Sequence, residues 1–147
     1  MNAQPATTKF AETRARLREA PVTRFSGPQH VFDLLQLSAH LLNETHPGTN
    51  GHRQMTIFHH EAATTVLFAF EAGGQLHDHQ AKGLITIHIL DGALTIEAQS
   101  EGAWQTHHLR AQQILVLSPG VLHNVTAQEA SRMLLTVHLV KGAPTPQ

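Results

Sequence analysis

The outstanding chemical feature of this 147-residue chain is its thirteen histidines. His77 and His79 flank Asp78. In an extended segment, residues two apart project to the same face, so both imidazoles would converge on one point. His-x-His arises easily by chance in a chain this rich in histidine, and the pair needs a third partner. His123 supplies one, placed just after a Pro119-Gly120 turn that follows the apolar run Ile114 to Leu117. Two strands would then deliver three rings. Neutral imidazoles suit a divalent transition metal such as Fe, Ni, Zn, Mn or Cu. Three such ligands leave open positions for water, dioxygen or a chelating substrate, and without a carboxylate the ion keeps its full charge and favours an anionic ligand. The competing reading is an ordinary interior with hydrogen-bonded histidines.

Composition narrows the rest. Ten Lys and Arg against eleven Asp and Glu give a formal charge of −1, and only 14% of residues are charged, so there is no basic footprint for nucleic acid. The absence of cysteine removes disulfides, thiolate zinc sites, iron–sulfur clusters and a cysteine nucleophile together. Tyrosine is absent too, which leaves His, Asp, Glu, Lys or water for acid–base chemistry. The apolar runs are strand-sized, with no stretch long enough for a membrane span and no apolar signal core in the first residues. A cytoplasmic location is the expectation.

The elements that must position these histidines follow from periodicity. Residues 1–27 read as an appendage, with a short helix expected from Lys9 to Ala20 before Pro21. Residues 28–147 form one domain. Its leading helix spans 29–42, where Val31, Leu34, Leu35, Ser38, Leu41 and Leu42 recur at helical spacing. From about residue 54 the period becomes two, and eight runs alternate with turn residues: Met55 to His60, Thr65 to Phe70, Leu84 to Leu90, Ala93 to Gln99, Trp104 to Arg110, Ile114 to Leu117, Leu122 to Thr126, and Met133 to Val140. Gly73-Gly74, Asp91-Gly92, Glu101-Gly102 and Pro119-Gly120 punctuate them, with no intervening helices to make parallel crossovers. The fold class is mainly β, an antiparallel barrel or sandwich over about 54–140, ending in a frayed tail over 142–147.

Gly74-Gln75-Leu76-His77-Asp78-His79, the run through Ile85 to Asp91-Gly92, and Ser118-Pro119-Gly120-Val121-Leu122-His123 together resemble the two motifs of the cupin superfamily, specifically its small single-domain members. The resemblance implies a double-stranded β-helix, or jelly roll, with His77, His79 and His123 as metal ligands. It also marks departures. The position of the usual motif glutamate falls on Ile85, Ala127 replaces a common asparagine, and Ser118 stands where a proline is expected. The fourth ligand is therefore missing.

The other histidines carry less. With Ile85 inside, His88 faces outward, whereas a shifted register would bring it in as an extra ligand or base. The adjacent pairs His59-His60 and His107-His108 point to opposite strand faces and read as surface residues. His40 and Glu44 make an ordinary i,i+4 contact on a helix. His30, His46 and His52 carry no signal, and His138 sits in a run like that of His88. Phe68, Phe70, Trp104, Met133 and the Ile85-Ile87-Ile89 face would line a pocket or fill the core. Asp78 should point away from the metal, and no general base stands out.

Two functions compete. The first is a stand-alone cupin that binds a divalent metal and a small anionic or chelating ligand in its barrel. The alternative is a metal-dependent dioxygenase acting on a small enolic, diketone or catechol-like substrate, by analogy with the superfamily. The first is favoured because no acid–base partner is evident and the glutamate is gone. Cupin thiol dioxygenases and sugar epimerases use a tyrosine that this chain lacks. A homodimer is expected, since jelly-roll edges and faces need covering.

Overall fold

The computed structural model describes residues 24, 25 and 27–139. The expected helix from Lys9 to Ala20 and the tail over 142–147 lie outside these residues. One helix, α1 (Leu34–Leu42), precedes nine strands: β1 (His52–His59), β2 (Ala63–Phe70), β3 (Gln75–His79), β4 (Leu84–Asp91), β5 (Ala93–Ser100), β6 (Ala103–Arg110), β7 (Ile114–Leu117), β8 (His123–Ala127) and β9 (Ser131–His138). They form a five-stranded sheet in the order β1-β2-β9-β4-β7 and a four-stranded sheet in the order β3-β8-β5-β6. Every pairing between these strands is antiparallel. Each of the eight expected runs contains a strand, and the ninth, β3, carries His77 and His79. Its burial does not alternate cleanly, which is why periodicity alone passes over it.

The period-two pattern has its physical cause in the space between the sheets. Phe68, Phe70, Ile85, Ile87, Ile89, Leu117, Met133 and Leu135 from the larger sheet meet Leu94, Ile96, Ala98, Val125 and Ala127 from the smaller one, all buried. Each large apolar side chain taken from water there contributes about 1.5–3 kcal/mol. Ile85 is only 2% exposed and His88 is exposed, so the register with Ile85 inside is the one observed. Trp104 does not line the interior. It is 42% exposed on β6, an edge strand whose side chains are mostly in solvent.

A second apolar layer lies on the outer face of the larger sheet, where Leu41 meets Met55, Ile57, Leu67 and Ala69, with Phe32, Leu34 and Leu37 packed against them. The helix is shorter than expected because the Asp33 side chain accepts from the Gln36 amide at 3.1 Å and caps it there. Its buried residues are Ser38 and Leu41, while Leu35 and Leu42 face solvent. Of the expected appendage, Arg24 donates to the Thr56 carbonyl and Phe25 packs edge-on against Phe58, so this end of the segment lies on β1.

Ser38 is 1% exposed, and its hydroxyl has no hydrogen-bond partner among the described residues. A buried unsatisfied hydroxyl costs free energy, and alanine is the better helix former, so Ser38→Ala should raise unfolding stability by about 1 kcal/mol. Urea denaturation measures this. A destabilised variant would mean that the hydroxyl is bonded in solution.

Candidate metal centre

The start of β3 is fixed to the start of β1 at very short range. Asn50 and Gly51 have φ of 50° and 75°, and Thr49 and His52 exchange backbone hydrogen bonds of 2.8 and 2.9 Å across them. Asn-Gly is the pair that such a two-residue turn demands. The turn presses Gly51 against Gly74: a Cβ on Gly74 would collide with the Gly51 carbonyl oxygen. Gln75 N–H donates to Asn50 O at 2.9 Å, and the Gln75 carbonyl accepts from the His52 ring at Nδ1, also at 2.9 Å. His52 is 7% exposed and lies against Phe68 and Phe70. One imidazole therefore ties the two sheets together two residues before His77.

From this anchor β3 runs along β8 with Gln75 opposite Thr126, Leu76 opposite Val125 and His79 opposite His123. Between Leu76 and His79 the register slips, so β3 carries one residue more than β8. Such a bulge breaks the simple alternation. Leu76 packs against the core, and three residues later His79 is opposite the buried His123. The rule that residues two apart share a face therefore does not govern this segment. His79 reaches His123, with ring centroids 4.1 Å apart and planes at 53°. His77 is exposed and lines the same cavity as His79. Among the described residues, no three His, Asp or Glu side chains stand together at metal-ligating spacing. Asp78 turns instead to Asn124, whose amide donates to its Oδ1 at 2.9 Å.

The two facing rings share one hydrogen-bonding pattern. His123 Nδ1 is 3.0 Å from the Val121 carbonyl, and His79 Nδ1 is 3.0 Å from the His77 carbonyl. A carbonyl only accepts, so each Nδ1 carries the proton, and in the neutral ring Nε2 carries the lone pair. His123 Nε2 is buried with no hydrogen-bond partner among the described residues. Burial holds the His123 pKa below its ordinary value, against the opposing pull of the Val121 carbonyl, and the neighbouring His79 pushes it further down while Asp78 raises it. A neutral, desolvated imidazole with a bare Nε2 oriented by a backbone carbonyl is the form that ligates a metal. This donor chemistry fits a divalent ion at His79 and His123.

The sequence reading missed the residues around this pair. A cavity of about 440 Å³ opens beside it, lined by His46, His52, Arg53, Gln54, His77 and His79 together with the 47–50 turn and Leu76. His46 and His52 had shown no pattern. The readable signal was Asn50-Gly51 followed at once by an alternating strand, which fixes His52 as the first residue of β1. The remaining histidines lie elsewhere. His59, His60, His88 and His108 are exposed, and His138 Nε2 is 3.4 Å from Thr86 Oγ1. Ile85, at the position of the motif glutamate, is part of the core and supplies no ligand.

No family model matches the chain, and no curated protein matches it. Solved structures do. A conserved protein of unknown function from Streptococcus pyogenes superposes with a TM-score of 0.62 at 21% identity, covering 84% of this chain and 97% of that one. A cupin superfamily protein from Desulfitobacterium hafniense gives a TM-score of 0.60 at 16% identity over 84% of this chain and 99% of that one. Oxalate decarboxylase from Bacillus subtilis, which has Mn(II) centres, matches 63% of this chain and 26% of its own length, with a TM-score of 0.54 and 16% identity. At these identities the likeness speaks for architecture. With its two antiparallel sheets around one core and its β3–β8 histidine pair, the chain has the fold of the RmlC-like cupins.

Proposed function

We propose that this protein is a metal-binding cupin that holds a divalent transition-metal ion through His79 and His123, with His77 as the third imidazole, and offers it to a small anionic or chelating ligand. The observation that carries this reading is the bare, buried Nε2 of His123 facing His79. An unsatisfied buried acceptor costs about 1–3 kcal/mol, a cost that coordination removes. His77 lines the same cavity, and its ring makes no hydrogen bond among the described residues, so turning it toward the pair breaks none. The Bacillus oxalate decarboxylase, part of which shares this fold, has Mn(II) centres, which supports a divalent ion here. Bound there, the metal would act as a Lewis acid toward a ligand oxygen and lower the pKa of a bound water. His79 and His123 hold, Val121 and the His77 carbonyl orient, and the core strands behind exclude water.

A second copy of the chain is the proposed partner. Leu84, Ile114 and Val116 are 38%, 59% and 54% exposed, and they share the outer face of β4 and β7, because Thr86 pairs with Val116 and His88 with Ile114. Among the described residues, the helix layer covers the β1-β2 side of this sheet and no element covers this apolar edge.

Three outcomes test this reading. Protein purified without an affinity tag and dialysed against a metal mixture should carry stoichiometric metal by elemental analysis. His79→Ala and His123→Ala should lose it, and His77→Ala should weaken binding by about tenfold or more; metal retained in full by all three variants would contradict the site. In metal-free protein, His123 binds a proton more readily unfolded than folded. Stability should therefore fall as pH drops below about 6.5, and the gap between wild type and His123→Asn in urea should narrow between roughly pH 7.5 and 5.5; a gap that widens on acidification would contradict a depressed folded-state pKa. Light scattering should give a dimer mass, and Ile114→Lys with Val116→Glu should give a monomer; a monomeric wild type would contradict the partner.

A further inference from the structure

The cavity beside the histidine pair has a chemical polarity of its own. Among the described residues its lining carries no aspartate or glutamate, yet it includes Arg53 and four histidines, His46, His52, His77 and His79. Arg53 is always charged and presents five N–H donors. One of them goes to the His46 carbonyl at 2.5 Å. No carboxylate lies within 4 Å of the guanidinium among the described residues. Two acidic groups come near without neutralising it. Glu44 is bonded to His46 Nε2 at 2.9 Å and does not line the cavity. Glu71 lines a neighbouring cavity, which shares Gly48, His52 and Arg53 with this one, and stands outside ion-pair distance. A guanidinium with donors to spare, carried by a residue at the wall of a concave site without acidic lining, can receive a planar anion.

We infer that Arg53 is the specificity residue of this cavity and that the ligand is a small organic acid, one carboxylate held by Arg53 and the rest of the molecule directed toward His77 and His79. The inference builds on the proposed metal site but does not require the metal for its first contact. Three features make the clamp rigid. Arg53 follows His52, whose ring is fixed to the Gln75 carbonyl. Its guanidinium is steadied by the His46 carbonyl on the opposite rim. That rim is closed by the Thr49–His52 turn, with its two backbone hydrogen bonds. The donors are therefore held in place before a ligand arrives, which lowers the ordering cost of binding. At about 440 Å³ the cavity lies toward the small end of ligand sites, which run from about 300 to 1,000 Å³. It suits a compact acid better than a polymer chain.

The test uses succinate, a dicarboxylate that chelates weakly, and its neutral isostere succinamide. Each is titrated into the whole, chelator-treated protein and followed through the Arg53 Nε–H and histidine ring signals by NMR. Succinate should produce a saturable shift at Arg53 and at His77 or His79, and succinamide none. Arg53→Gln should bind succinate at least about tenfold more weakly, as loss of a charge-assisted bidentate contact requires. Arg53→Lys should recover only part of that loss, and Glu71→Gln should leave the affinity intact or raise it. Equal responses to acid and amide, no saturable response at Arg53, or an Arg53→Gln variant with unchanged affinity would overturn the proposal. The acid-against-amide comparison needs no variant, so it stands even if Arg53→Gln fails to fold. Because Arg53 is not a metal ligand, its substitution should leave metal content unchanged. Metal retained with no selectivity for the acid overturns this inference alone, whereas acid binding without metal uptake overturns only the metal reading.

Discussion

The structure depends on the register of β3 against β8. A single extra residue on β3 sets His79 opposite His123, the most deeply buried imidazole of the described chain. Shifting that register by one residue would bring Asp78 or Gln80 to the buried position and leave the bare nitrogen of His123 facing a different partner. The register does not rest on β3 alone, which is five residues long. It is fixed at the Gly51–Gly74 contact and at the His52 ring, where the two sheets approach too closely for any side chain larger than hydrogen. The turn that closes the cavity rim and the strand that presents the histidines are thus parts of one construction.

His123 shows how a sequence can hold a reactive group in an apolar interior. Its neighbours along β8, Val125 and Ala127, belong to the core, and it is as buried as they are. Desolvation there disfavours the imidazolium, so the ring stays neutral at pH values where a solvated histidine begins to protonate. The Val121 carbonyl then decides which nitrogen bears the hydrogen. An acceptor left without a donor in such a place is costly. Beside a second, similarly oriented ring, it is the group on which the proposed metal site rests.

Much of this was legible beforehand. The alternation of Ile85, Ile87 and Ile89 reports the inner face of β4 directly, and it set His88 outside. His123 was readable because the Pro119-Gly120 turn and the apolar run before it define where β8 starts. Three things were not legible. The bulge between Leu76 and His79 is a tertiary accommodation to β8, and no local pattern marks it, so the simple two-residue rule overstated the equivalence of His77 and His79. Helix α1 is shorter than the 29–42 its spacing suggests, and Val31 and Leu35, apolar in sequence, face solvent. Of the six residues that recur at helical spacing, Ser38 and Leu41 are the ones fully buried. Finally, Arg53 and His52 are ordinary in sequence and acquire meaning only when the 46–50 turn folds over β3, a contact between segments more than twenty residues apart.

The most direct test of the account is the protonation pattern of the two facing rings. Long-range proton–nitrogen NMR on metal-free protein near neutral pH should show His79 and His123 as Nδ1–H tautomers with unprotonated Nε2. On addition of zinc, the Nε2 resonances of both should shift while Nδ1 keeps its proton. A His123 that carries its proton on Nε2, or two rings whose Nε2 signals ignore the metal, would contradict the account at its centre.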